Sequence, residues 1–162
     1  MNRIADFLSY DPQTGDFSWI KSPGGRVTKG SQAGRKNPKN GYIYIRFQGK
    51  DLLAHRLAWF LQTGVWPSAD IDHRDRNRSN NTWRNLREGS RSQNLGNREG
   101  AKQFKGEYHH LKRWKAQIGV GKKTLYLGLF STPEEAAQAY DDAALQHYGE
   151  FAVLNLPRKN LE

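Results

Sequence analysis

The stretch DIDHRDRNRSNNTWRN, Asp70 to Asn85, sets one histidine between two aspartates among four arginines and four asparagines. Asp72 and His73 are residue types that can hydrolyse a phosphodiester without a cysteine or a carboxylate cluster. A single hard cation, held by one carboxylate and one neutral oxygen and keeping several waters, can clamp the scissile phosphate and the leaving oxygen. A neutral histidine beside it can take a proton from the attacking water, its ordinary pKa of about 6.5 lying near the working pH. An Asp-His dipeptide is common by chance, so taken alone its structural reading stands beside the chemical one. The downstream residues narrow the choice: Asn80-Asn81, then Asn85-Leu86-Arg87, then Asn94, twenty-one residues beyond His73.

Local elements must position these groups. IDH reads as the end of a short strand, whose alternation sends Asp72 and His73 to opposite sides. Ser90 and Gln93 stand at capping-box spacing, which predicts a helix starting near Arg91 and carrying Asn94. Upstream, the residues from Asp11 to Gly15 predict a turn into a strand at 16–20. The Gly-, Pro- and Lys-rich stretch KSPGGRVTKGSQAGRKNPKNG predicts an exposed loop or irregular hairpin able to touch phosphate. GYIYIRF alternates and, turned by Gly49, meets DLLAH as a second hairpin; HRLAWFLQT predicts a short helix closed by Gly64. After the EGAKQFKGE linker, AQIGV and TLYLGLF flank Gly121-Lys122-Lys123 as two strands and a tight turn. Thr132, Pro133, Glu135 and Gly149 bound a last helix whose inward stripe is Ala136, Tyr140, Ala143, Ala144 and His147.

Composition bounds the possibilities. A chain of 162 residues holds one ordinary domain or two small ones, and its five Trp, seven Tyr and seven Phe supply large core side chains. The absence of cysteine excludes disulfides, thiolate zinc sites and cysteine nucleophiles. No run approaches the roughly 18 apolar residues of a membrane span, so a soluble, unsecreted protein is expected. The formal charge of +10 suits a polyanionic partner. Phe104 to Lys123 carries six Lys/Arg against one Glu, whereas Pro133 to Glu150 carries five acids and neither Lys nor Arg. One face is basic and another acidic.

In these residues the chain resembles the HNH endonucleases, the phage homing type in particular. Their pattern of Asp-His, a basic asparagine-rich loop, Asn-Leu-Arg and a helical Asn or His is met by Asp72-His73, Arg74 to Asn81, Asn85-Leu86-Arg87 and Asn94. YDPQTGDFSW and HRLAWFLQTG look like the flanks such enzymes carry, so the likeness covers roughly residues 8–98. It implies two strands and a helix around one divalent ion, magnesium or else manganese, with His73 as general base and Asp72 and Asn94 as metal ligands. Asn85 would tie the loop down, and Asn80 and Asn81 would brace it where some relatives use a cysteine zinc site. Arg74, Arg76, Arg78 and Arg84 are read as phosphate contacts against the plainer reading of a solvated charge run. Asp75 reads as a loop cap, His55 as a packed histidine, and Trp59 and Trp83 as anchors.

Residues 104–157 resemble the plant ethylene-response-factor, or Apetala-two, DNA-binding domain. Lys105-Gly106, WKAQI, YLGLF, TPEEAAQAYDDAA, Gly149 and LNLP carry the likeness. It implies a three-stranded antiparallel sheet laid in the major groove with one helix behind it, which also accounts for basic strands and an acidic helix. Lys105, Tyr108, His110, Lys112, Arg113, Gln117 and Tyr126 are the DNA-facing candidates so implied. Tyr140 falls at a family contact position and also in the inward stripe; Trp114 reads as core. The expected whole is an α+β protein: an HNH ββα-metal nuclease domain at 1–99, a linker at 100–103 and an Apetala-two type domain at 104–158. It would act as a monomer on double-stranded DNA, away from membranes, in the cytoplasm of a phage's bacterial host. A DNA-binding regulator with an inactive HNH remnant and a basic RNA-binding protein are the rival readings.

Overall fold

The computed structural model describes residues 4–97, 104–110 and 112–156, without the side chains of Leu95, Tyr108 and His110. The linker expected at 100–103 lies outside them. Helices and antiparallel sheets are mixed, and the chain divides into two compact units, Met1–Glu88 and Gly89–Glu162. Among the described residues no helix is long and apolar enough to cross a membrane.

In the first unit, β1 (Leu8–Tyr10), β2 (Phe17–Trp19) and β3 (Gln32–Ala33) form one sheet, and β4 (Arg35–Lys36), β5 (Ile43–Phe47) and β6 (Lys50–Leu53) form another. The turn after Tyr10 closes on Asp11, whose carboxylate accepts from Gln13 N at 2.8 Å. The loop expected beyond residue 20 contains β3 and β4, two-residue strands in polar sequence that exist only through pairing with β2 and β5. α1 (Ala54–Thr63) follows β6 and ends at Gly64, whose φ of 80° lets its N–H reach Phe60 O. Ala54, Leu57, Ala58 and Phe60 of α1 bury against Leu8, Phe17, Trp19, Ile45, Ile71 and Leu86. Each large side chain so buried contributes about 1.5–3 kcal/mol. β7 (Asp70–His73) pairs with β8 (Leu86–Gly89), and Arg74 N donates to Asn85 O at 2.9 Å just past the pair.

In the second unit, α2 (Arg91–Gly96) starts at the expected capping box: Ser90 N donates to Gln93 Oε1 and Gln93 N to Ser90 Oγ. β9 (Glu107–His110), β10 (Arg113–Val120) and β11 (Lys123–Phe130) form an antiparallel sheet with β10 central, and α3 (Pro133–Tyr148) packs against it. α3 opens with the Thr132–Glu135 capping box and buries Ala136, Ala137, Tyr140, Ala143, Ala144 and Tyr148. His147, expected in this stripe, is exposed. Tyr148 takes the inward place instead, because the Tyr140, Ala144, Tyr148 row continues at a spacing of four. Its hydroxyl donates to Gly119 O, and its ring stands 2.6 Å from where a Cβ on Gly96 would lie. Asp141, 3% exposed, accepts from Asn155 N and Leu156 N and ties these two residues to α3.

Candidate functional site

β7 alternates as its sequence requires. Ile71 and His73 are buried, and Asp72 points to the other side, half-buried. Asp72 Oδ2 accepts from Arg87 Nε at 2.9 Å and Nη2 at 2.8 Å, from the neighbouring strand β8. The two side chains are only 13% and 7% exposed, so this pair is largely withdrawn from water and fixes the carboxylate's orientation. In the sequence Arg87 stands out only as the last residue of Asn-Leu-Arg, with no role of its own; strand pairing is what sets it opposite Asp72.

His73 is 4% exposed, with Nε2 3.1 Å from Asn81 Oδ1. With the amide oxygen accepting, Nε2 carries the proton and the ring lone pair is on Nδ1. Burial pushes the His73 pKa below the usual histidine range, although the Asn81 bond and the Asp75 and Asp72 carboxylates pull the other way. The ring is therefore neutral near pH 7, the form a general base needs. His55 lies edge-on to it at 5.1 Å between ring centres, and Tyr42 stands 5.1 Å from His55 and 6.0 Å from His73. Burial, then the neighbouring His73 and Arg56, lower the His55 pKa to about 3, and its Nδ1 is buried without a partner. His55 is a packed histidine, and it packs on His73.

The loop between β7 and β8 folds around Asp75. Its carboxylate accepts from Asn77 N, Asn80 Nδ2 and Asn85 Nδ2 at 2.6–2.9 Å, while its own N–H donates to Asn85 Oδ1. Burial raises the Asp75 carboxyl pKa, but the bonds from Asn80, Asn77 and Asn85 outweigh it and hold the pKa below the usual range. Asn85 Nδ2 also donates to Asn80 O. Arg74, Arg76, Arg78 and Arg84 are exposed. Arg78 donates to Asn40 O and lies 5.0 Å above the Tyr42 ring.

Asp72, His73, Asn80, Asn81 and Asn85 thus gather in the first unit, whereas Asn94 sits on α2 in the second. Asn94 Oδ1 is buried with no hydrogen-bond partner, and a Cβ on Gly89 would come within 3.1 Å of it. A desolvated carbonyl oxygen without a donor is a ligand type that hard cations take. Among the described residues no three His, Asp or Glu side chains gather to hold a metal, so the donors on offer are a carboxylate and neutral oxygens. The Asp72 carboxylate in the first unit and the Asn94 carbonyl in the second are each of a donor type that a divalent cation takes.

On the sheet of the second unit, Ala116 and Ile118 are buried, while Arg113, Lys115 and Gln117 alternate to the opposite face. Gln117 lies opposite Tyr126, which is 60% exposed, and Lys115 Nζ lies 5.8 Å from the Tyr126 ring centre. Lys115 shares this face, as its place between Arg113 and Gln117 on β10 requires. Lys112 is exposed. Lys105 Nζ donates to Gly96 O and lies 5.9 Å from the Tyr140 ring. Tyr140 is core. Trp114 is half-buried, edge-on to His109. The side chains of Tyr108 and His110 lie outside the described residues.

Residues 52–95 match a family model of the HNH endonucleases. Over 74 residues the chain is 45% identical to ethylene-responsive transcription factor WRI1 of Arabidopsis thaliana, covering 43% of this chain and 17% of that protein. It is 47% identical over 68 residues to APETALA2-like protein 2 of Oryza sativa subsp. indica, covering 40% and 16%. It is 48% identical over 69 residues to AP2-like ethylene-responsive transcription factor AIL5 of Arabidopsis thaliana, covering 40% and 12%. The chain spans less than a fifth of the length of these relatives.

Proposed function

We propose that this chain, which carries an HNH endonuclease match beside a likeness to AP2-type transcription factors, is a metal-dependent endonuclease of duplex DNA. In this reading an HNH nuclease at 1–99 is joined through 100–103 to an Apetala-two type DNA reader at 104–158. The observation that supports it most is the adjacent pair Asp72 and His73, the carboxylate held by Arg87 and the neutral imidazole by Asn81. Asp72 and Asn94 would hold one divalent ion, magnesium or manganese, which when bound polarises the scissile phosphate. His73 takes the proton of the attacking water. Arg74, Arg76, Arg78 and Arg84 bind flanking phosphates, and Arg113, Lys115, Gln117 and Tyr126 face the DNA from the second unit. Tethering makes the second contact effectively intramolecular and raises nuclease occupancy near the reader's site. A monomeric, phage-borne homing enzyme working in the bacterial cytoplasm belongs to the same reading.

Plasmid nicking with magnesium and with excess chelator tests it. Cutting should need the ion, and His73→Ala should lower the rate about 10²- to 10⁴-fold while DNA binding is kept. An alanine variant that cuts at the wild-type rate sinks the assignment. The names of the relatives favour a second reading, a DNA-binding regulator. That protein would bind duplex DNA and leave the plasmid intact in magnesium.

A further inference from the structure

We propose that the amino-terminal turn is a positioning element of this site: Tyr10 and Gly15 fix Asn81, and Asn81 sets which nitrogen of His73 carries the proton. Its catalytic meaning rests on the nuclease reading; its structural content does not. Tyr10 Oη donates to Asn81 O at 2.7 Å, and Trp83 N donates to Pro12 O at 2.9 Å, so the turn is bonded to the chain on both sides of Thr82. Burial, then the Asp11 charge, push the Tyr10 pKa up to about 12, which keeps the hydroxyl a donor. At Gly15, with φ of 80°, a Cβ would stand 2.6 Å from both Asn81 C and Thr82 N. Those are backbone atoms, so only glycine lets the turn press this closely.

Asn81 itself is 1% exposed. Its Oδ1 faces His73 Nε2, while its Nδ2 is buried with no acceptor. A buried donor left unpaired costs about 1–3 kcal/mol, so an apolar side chain of similar shape would pack at least as well. What Asn81 supplies that leucine cannot is the acceptor oxygen. That oxygen selects the Nε2–H tautomer and puts the basic lone pair on Nδ1. Were Asn81 to shift, the Nε2–H tautomer would lose this acceptor, and a ring protonated on Nδ1 could not accept a proton from water there.

The test uses the full chain labelled with ¹⁵N-histidine, with the His73 ring signals assigned by their loss in His73→Ala. Wild type should show a protonated Nε2 and an unprotonated Nδ1. Tyr10→Phe should give mixed tautomers and a kcat for nicking about three- to tenfold lower, with KM changed less than about twofold. Asn81→Leu should lose the tautomer preference, and Asn81→Asp, which keeps an acceptor oxygen, should retain it. A wild-type ring protonated on Nδ1 overturns the proposal, as does an Asn81→Leu or Tyr10→Phe protein with the wild-type tautomer. Should Tyr10→Phe not fold, the wild-type and Asn81 measurements decide. If the wild type does not nick DNA at all, the nuclease reading falls, and the ring signals still decide the role of the turn.

Discussion

At the scale of single residues, His55 and His73 meet edge-on in the first unit, and burial holds both below their ordinary pKa. As pH falls, the unfolded chain protonates near its ordinary value of about 6.5, while folded His55 resists down to about 3. The stability it confers is therefore complete above about pH 6.5 and is lost as pH falls toward 3, with a slope of up to about 1.4 kcal/mol per pH unit. Urea unfolding across that range should show the slope, and His55→Leu should flatten it; an unchanged slope would place the titrating group elsewhere. Arg87 sets a second expectation. Replacing it with leucine removes the guanidinium from an Asp72 carboxylate largely withdrawn from water, at a cost of about 3–5 kcal/mol in denaturant unfolding. A cost under about 1 kcal/mol would mean that water already screens the pair. Asp72 and His73 were legible because the motif is local. Arg87 was not, because fifteen residues separate it from Asp72 and only the β7–β8 pairing joins them.

At the scale of elements, the second unit depends on how closely the start of β9 approaches α3. Gly106 has φ of 80°, and a Cβ there would overlap the Tyr140 ring and stand 2.7 Å from Gln117 O. Gly106→Ala should lower stability by about 1–3 kcal/mol or more, read by thermal unfolding. An unchanged melting temperature would show that Tyr140 can repack. The caps of α2 and α3 were legible because a capping box is written within four residues. β3 and β4 were not, since two-residue strands carry no periodicity of their own. The capping box located α2, but only the structure shows that it packs on α3, within the second unit.

At the scale of the whole molecule, the proposed endonuclease function makes DNA affinity depend on salt through a charge of +10, the slope of log K against log salt being about −0.9 per phosphate contact. Replacing Arg74, Arg76, Arg78 and Arg84 with glutamine should reduce that slope by up to about 0.9 each. Gln117→Ala should alter sequence preference and leave the slope in place. Anisotropy titrations at several salt concentrations separate the two, and an unchanged slope in the arginine variants returns them to a solvated charge run. The amino-acid sequence by itself determined the helix caps, the strand alternation, the polarised charge and the Asp72-His73 pair, because such signals act over a few neighbouring residues. Only the tertiary structure decided that Tyr10 holds Asn81, that Arg87 holds Asp72, that Lys105 turns to Gly96 and that His147 faces solvent. The first three of those contacts join residues from 9 to 71 positions apart, and the fourth depends on how α3 packs. Local pattern carries no record of such contacts, since they form only once burial has repaid the entropy of closing the chain between them.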